Sequence, residues 1–215
     1  MVAMQRRQFA AAAVALPLGF TLSTPTLAQE SSPVDSTEYR KLQSAVGTEV
    51  PAGKVEVLEF FGYWCPHCAN FEPAFDAWLR KAPAKAVVRR VPVAFRADMA
   101  PLQRLYYTLE KLGVLPTLHA KVFDALHKQR INLLKEDVML AWASMQPELA
   151  KRPLLVTYNS EAVRNQVKQA DQLASAYGIE GVPSFGVAGK YYLDGMITGS
   201  MERALVVVNH LIRTA

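Results

Sequence analysis

The sequence predicts an α/β fold in which two sheet-forming halves flank a long helical stretch. Three observations carry this. A β-prone run at residues 55–61 leads into a helical apolar pattern and then into a second β-prone run, forming a β–α–β unit. Residues 101–143 hold helical periods and no strand signal. Two more β-prone runs and a last helical pattern close the chain. The 215 residues are 51% hydrophobic and 20% charged, enough to bury a core and too apolar for wholesale disorder. No run of 18 apolar residues offers an ordinary membrane-spanning helix. The net charge is +5, but Lys and Arg are scattered, which argues against a nucleic-acid partner.

The first 28 residues read as an export signal. Arg6 and Arg7 precede an Ala-rich apolar stretch from Phe9 to about Phe20, and Thr26-Leu27-Ala28 ends the segment. Cleavage after Ala28 leaves 187 residues with net charge +3. The paired arginines suit either the general or the twin-arginine route. Residues 29–49 form an N-terminal extension, Ser/Pro/Asp-rich over 29–37.

The elements then follow in order. Val55–Phe61 is too apolar for an edge and suits a central strand. Phe71, Phe75, Trp78 and Leu79 share one helical face, with Pro73 inside the pattern as a kink. Val87–Phe95 returns to β character, and a right-handed crossover makes the two strands parallel. Pro101 opens a helix that Gly113 closes, and Pro116 opens another with Leu118, Val122, Phe123 and Leu126 inward. A third helix runs from about Lys135 to Met145. Ser160 caps a long helix that stops at Gly178. Residues 184–187 and 190–193 flank Ala188-Gly189, a two-residue hairpin turn, and a helix from about Ser200 to Arg213 ends the chain. The helical stretch, residues 98–159, is long for a connection and reads as an insertion.

Only two cysteines occur, at Cys65 and Cys68, which excludes a multi-disulfide scaffold and any four-thiolate site. Pro66 fits the first helical position and places Cys65 at the N-cap, exposed beside free backbone N–H groups and the positive helix end. That lowers a thiol's pKa, and a protonated His67 adds to the effect. Cys68, one turn on, sits deeper and is placed to resolve a mixed disulfide. Three other readings are weaker. A disulfide closing so short a loop stabilises little. A c-type haem site needs His after the second Cys, where Ala69 stands. A metal site needs two more ligands, and His119, His127 and His210 lie in amphipathic segments without ligand spacing. His119 and His127 read as solvated or cap-like. Exported strand–CxxC–helix chemistry points to thiol–disulfide exchange.

The segment Glu59-Phe60-Phe61-Gly62-Tyr63-Trp64-Cys65-Pro66-His67-Cys68 resembles the active-site segment of the DsbA family, the bacterial periplasmic thiol:disulfide oxidoreductases. Gly181-Val182-Pro183-Ser184-Phe185, followed by Gly189-Lys190-Tyr191, is similar to that family's cis-proline loop and hairpin. The resemblance runs from about Val50 to the C-terminus. It implies a thioredoxin-like fold built from residues 50–97 and 160–215, with 98–159 as the inserted helical domain.

It also implies roles. Cys65 and Cys68 form the redox-active disulfide, with Pro66 and His67 between them. Pro183, which sequence alone reads as an ordinary trans loop proline, becomes cis and leaves the Val182 backbone free to pair with substrate. Glu59, exposed or buried by alternation alone, becomes the acid that relays a proton to Cys68. Family members pair this acid with a buried lysine; here Val88, Arg89 or Arg90 takes its place, depending on register. Tyr63 and Trp64 serve either as a substrate-binding surface or as packing, and Met196 is open in the same way.

The function implied is donation of the Cys65–Cys68 disulfide to reduced, unfolded exported proteins. A membrane re-oxidase of the DsbB type then restores the disulfide. The protein would be a periplasmic monomer with no cofactor and no metal. The alternative is an isomerase or reductase kept reduced by a membrane partner. About 25 residues before the first strand are too few for the dimerisation domain of the isomerases. A metal-binding module is the third reading and lacks a convergent ligand set.

Overall fold

The computed structural model describes residues 37–215, so the export signal, its cleavage site and the first residues of the extension lie outside the described residues. Five strands form one sheet in the order β1-β5-β4-β2-β3: β1 (Arg40–Lys41), β2 (Val55–Phe61), β3 (Ala86–Pro92), β4 (Ser184–Val187) and β5 (Tyr191–Asp194). β2 is central and fully buried, as its run of apolar residues requires. It pairs parallel with β3 and antiparallel with β4. The extension is more than a leader to the fold. Its Arg40–Lys41 pair antiparallel with β5 as an edge strand, which a two-residue run with no apolar alternation does not announce.

Helix α1 (Pro66–Leu79) crosses from β2 to β3 and runs through Pro73. It packs with α8 (Met201–Thr214) on one face of the sheet, where Phe71, Phe75, Phe185, Val207 and Leu211 meet. On the other face lies α6 (Glu161–Tyr177), capped by the Ser160 hydroxyl and ended by Gly178 at φ 62°. Its Tyr177 ring tilts on Phe60 at 5.3 Å. The chain opposite has to be glycine, because a Cβ on Gly186 would come within 2.3 Å of that ring. Helices α2 (Ala100–Lys111), α3 (Leu115–Phe123), α4 (Glu136–Ser144) and α5 (Leu154–Tyr158) share the core of this second face. A short helix, α7 (Gly195–Thr198), follows β5.

Two local expectations change. The hairpin turn holds three residues, since Val187 pairs with Tyr191, and Ala188 and Gly189 both take positive φ. The helix begun at Pro116 ends at Phe123, and the next turn, Asp124–Lys128, is π-helical. No helix among the described residues is long and apolar enough to cross a membrane.

Candidate active site

β2 delivers the chain to the site, and a turn follows in which the Cys65 N–H donates to the Gly62 carbonyl at 3.0 Å. Cys65 is the N-cap of α1, with extended backbone (φ −90°, ψ 117°) and Pro66 at the first helical position. Its sulfur accepts the Cys68 N–H at 3.4 Å. Both cysteines are thiols in this structure. The expectation of an exposed Cys65 is corrected: the residue is 4% exposed and Cys68 2%. The reason is the loop with the cis Val182–Pro183 bond, whose Val182 carbonyl accepts the Cys65 thiol at 3.3 Å. Pro66 and His67 are exposed beside it.

The two sulfurs differ in electrostatics. The Cys65 pKa is lowered from 9.0 to about 6. The hydrogen bond from the Cys68 thiol is the largest cause, burial opposes it, and the N–H groups of Cys68 and His67 add to it, with the His67 charge last. The sequence points to the helix end and His67 as the leading causes. The order changes because a buried neighbouring thiol donates directly to the sulfur, whereas the exposed imidazole is screened by water. Burial pushes Cys68 well above its ordinary value, with Cys65 and Glu59 adding to the rise. Ionisation therefore favours Cys65. His67→Ala keeps the backbone N–H and removes only the smallest of these influences, so the Cys65 pKa should rise by less than about one unit, lowering the reduction potential by less than about 30 mV. Thiolate absorbance against pH and a glutathione titration check both shifts, and a fall in the pKa would contradict the assignment.

Glu59 is 1% exposed. Burial pushes its pKa up to about 8, against the opposing charge of Arg90. Register decides its partner. Glu59 lies beside Arg90 across the parallel pair, and the Arg90 Nε donates to Glu59 Oε2 at 3.0 Å. Arg90 also donates to Glu72 Oε1 and, at 3.0 Å, to Asp76 Oδ1. Arg90 thus stands where the resemblance places a lysine and gathers three carboxylates. Arg89 points to the other face and pairs with Glu56 at 2.9 Å.

Glu72, Asp76 and Arg90 were not singled out as one site from the sequence. Two acids four residues apart on the Phe71–Phe75 helix, with consecutive arginines on the next strand, were the available signal.

Tyr63 is corrected from a substrate-surface candidate to packing. It is 1% exposed, with its ring edge-on to Phe61 at 5.2 Å and to Phe123 at 5.0 Å. Trp64 is half-buried. Its Nε1 donates to the Val93 carbonyl at 2.9 Å, and its ring meets the exposed Phe95 edge-on at 5.5 Å. The sequence places Phe95 at the end of a strand, whereas the strand stops at Pro92 and leaves Phe95 in the segment beyond it. Met196 is exposed on α7. His119 and His127, read as solvated or cap-like, in fact both reach Tyr63. The His119 Nδ1 lies 2.7 Å from the Tyr63 hydroxyl and the His127 Nε2 2.7 Å from the Tyr63 carbonyl. Periodicity showed their helical face and could not show what that face meets.

A family model, the DSBA-like thioredoxin domain, matches residues 56–206. The thiol:disulfide interchange protein DsbA of Bordetella pertussis is 39% identical over 210 residues, 97% of this chain and 98% of that protein. The DsbA of Burkholderia cepacia is 36% identical over 186 residues, covering 86% of this chain and 87% of that one. The crystal structure of Pseudomonas aeruginosa DsbA aligns with TM-score 0.73 at 37% identity, over 83% of this chain and 92% of that one. The oxidoreductase NmDsbA1 of Neisseria meningitidis aligns with TM-score 0.73 at 27% identity, over 84% and 93%.

Proposed function

Because this chain belongs to the DSBA-like thioredoxin domain family, it is a thiol:disulfide oxidoreductase of disulfide bond formation, and we propose that the Cys65–Cys68 pair is the disulfide it donates. A substrate thiolate attacks the Cys65 sulfur, and the Cys65–Cys68 bond breaks. Cys68 leaves and takes a proton, with Glu59 as its buried source. The substrate's second thiolate then attacks the substrate sulfur of the mixed disulfide, and Cys65 departs as thiolate. Two electrons pass from the substrate dithiol to the protein, and the substrate gains one disulfide. The Val182 backbone beside Cys65 pairs with the extended substrate, and Trp64 with Phe95 gives it an apolar rest.

The substrates in this reading are reduced polypeptides newly exported to the periplasm. The dithiol is restored to a disulfide by a membrane re-oxidase of the DsbB type. The protein acts as a monomer, residues 50–97 and 160–215 carrying the chemistry and 98–159 forming the inserted helices.

The observation that supports this most is the lowered Cys65 pKa beside a Cys68 held protonated. A disulfide contains no thiolate, so stabilising the Cys65 thiolate favours the reduced protein and makes the oxidised one an electron acceptor. The pH dependence follows. Between about 6 and 9.0 the unfolded dithiol holds a proton that the folded one has released. The reduced form therefore gains stability as pH rises through this window and loses it as pH falls through about 6. The oxidised form has no such proton. Denaturant midpoints of the two forms should show the reduced protein more stable at pH 7.5, with the gap widening toward pH 9. An oxidised form that is the more stable one at pH 7.5 would replace this reading with the reductase one.

A further inference from the structure

Two histidines from the segment 98–159 meet the active-site turn at Tyr63, two positions before Cys65. Helix α3 supplies His119, 6% exposed, whose Nδ1 lies 2.7 Å from the Tyr63 hydroxyl. The other nitrogen of His119, Nε2, faces Glu72 Oε1 at 3.3 Å. The π-helical turn Asp124–Lys128 supplies His127, whose Nε2 lies 2.7 Å from the Tyr63 carbonyl oxygen. A carbonyl only accepts, so this nitrogen carries the proton and donates. The π-turn is marked by the Gln129 N–H donating to the Asp124 carbonyl at 2.9 Å, and such turns are frequent at functional sites. Phe123, between the two histidines, packs edge-on against the Tyr63 ring at 5.0 Å.

We propose that His119 and His127 are positioning residues for thiol exchange, fixing both ends of Tyr63 and through it the turn that sets Cys65 at the helix N-terminus. Tyr63 lies inside that turn, which the bond from the Cys65 N–H to the Gly62 carbonyl closes at 3.0 Å. In the oxidised protein the disulfide itself holds Cys65 against Cys68. In the dithiol only non-covalent contacts do so, and the sulfur's hydrogen bonds depend on the turn staying in place. Loosening Tyr63 therefore weakens the reduced form selectively. The inference rests on the thiol-exchange reading of Cys65 given above.

The test compares His127→Gln with His127→Phe. Gln presents an amide N–H to the same carbonyl, while Phe keeps a ring beside Phe123 and donates nothing. One hydrogen bond to a neutral carbonyl contributes about 1 kcal/mol, roughly a fivefold change in an equilibrium constant. His127→Phe should shift the glutathione equilibrium about fivefold toward the oxidised protein and raise the Cys65 pKa in a thiolate titration. His127→Gln should restore both. Tyr63→Phe, which keeps the ring and removes only the hydroxyl, should move both readouts in the same direction and remains available if His127→Phe does not fold. Thiolate titration and redox equilibrium unchanged from the unaltered protein in the folded variants would overturn the proposal. Failure of the underlying reading looks different, because the unaltered protein would then itself lack a low-lying thiolate.

Discussion

Cys65→Ser is expected to abolish exchange with a reduced two-cysteine peptide outright, since Cys68 is the chain's only other thiol and is buried and held protonated. Cys68→Ser should behave in the opposite way. The serine hydroxyl still donates a hydrogen bond to the Cys65 sulfur, so the nucleophile survives while resolution is lost, and mixed disulfides with substrate accumulate. Cys68→Ala would remove that donor as well. Its Cys65 pKa should rise from about 6 toward the ordinary value, because the Cys68 thiol is the largest influence lowering it. Intact-mass analysis after incubation with the same peptide in its disulfide form distinguishes the variants, because the Cys65 thiolate attacks one peptide sulfur and the other leaves as the peptide's own thiol. Trapped adducts on the Cys65→Ser protein and none on the Cys68→Ser protein would reverse the two roles.

The second large effect is expected at Arg90. Its guanidinium holds Glu59, Glu72 and Asp76 together, the first two deeply buried. Arg90→Met leaves those two carboxylates without their cation, and breaking a buried pair from one side costs about 3–5 kcal/mol. Arg90→Lys should lose less, since an ammonium keeps the charge but not the planar fork that spans several acids. The pH dependence gives the sign. Glu59 already has its folded pKa raised from 4.5 to about 8, and Arg90 works against that rise. Without Arg90 the folded state holds protons that the unfolded chain releases above about 4.5, over a wider window. The parent's loss of stability with rising pH should level off above about 8, whereas that of Arg90→Met should continue, so the deficit grows from about 8 upward and shrinks on acidification. Urea midpoints across that range measure it. A deficit independent of pH would show that lost packing, not uncompensated charge, is the cause.

Much of the site was legible because its signals are local. A proline after a cysteine at the end of an apolar strand specifies an N-cap thiol, and the structure places Cys65 there. Ser160 and Gly178 mark the ends of α6 through their own side-chain and backbone chemistry, with no help from the rest of the fold. The hairpin was legible to within one residue, because Ala188 and Gly189 both take positive φ while the register beyond them depends on β4 and β5. Cys65's burial was not legible: it depends on Val182, 117 residues later, meeting the sulfur.

The sequence by itself determined the α/β class, the β2–α1–β3 and β4–β5 order with α8 last, the caps of α6 and the N-cap place of Cys65. Each of these follows from the conformational preference of a few neighbouring residues, or from apolar spacing along one element. Tertiary structure alone decided the rest. It set the parallel register that gives Glu59 to Arg90, the pairing of Arg40–Lys41 with β5, and the two histidines on Tyr63. A strand carries the same alternation in any register two residues away, and a helix shows the same stripe whatever packs on it. Partners distant in sequence are selected only when the whole core closes and every buried charge and donor must find its match.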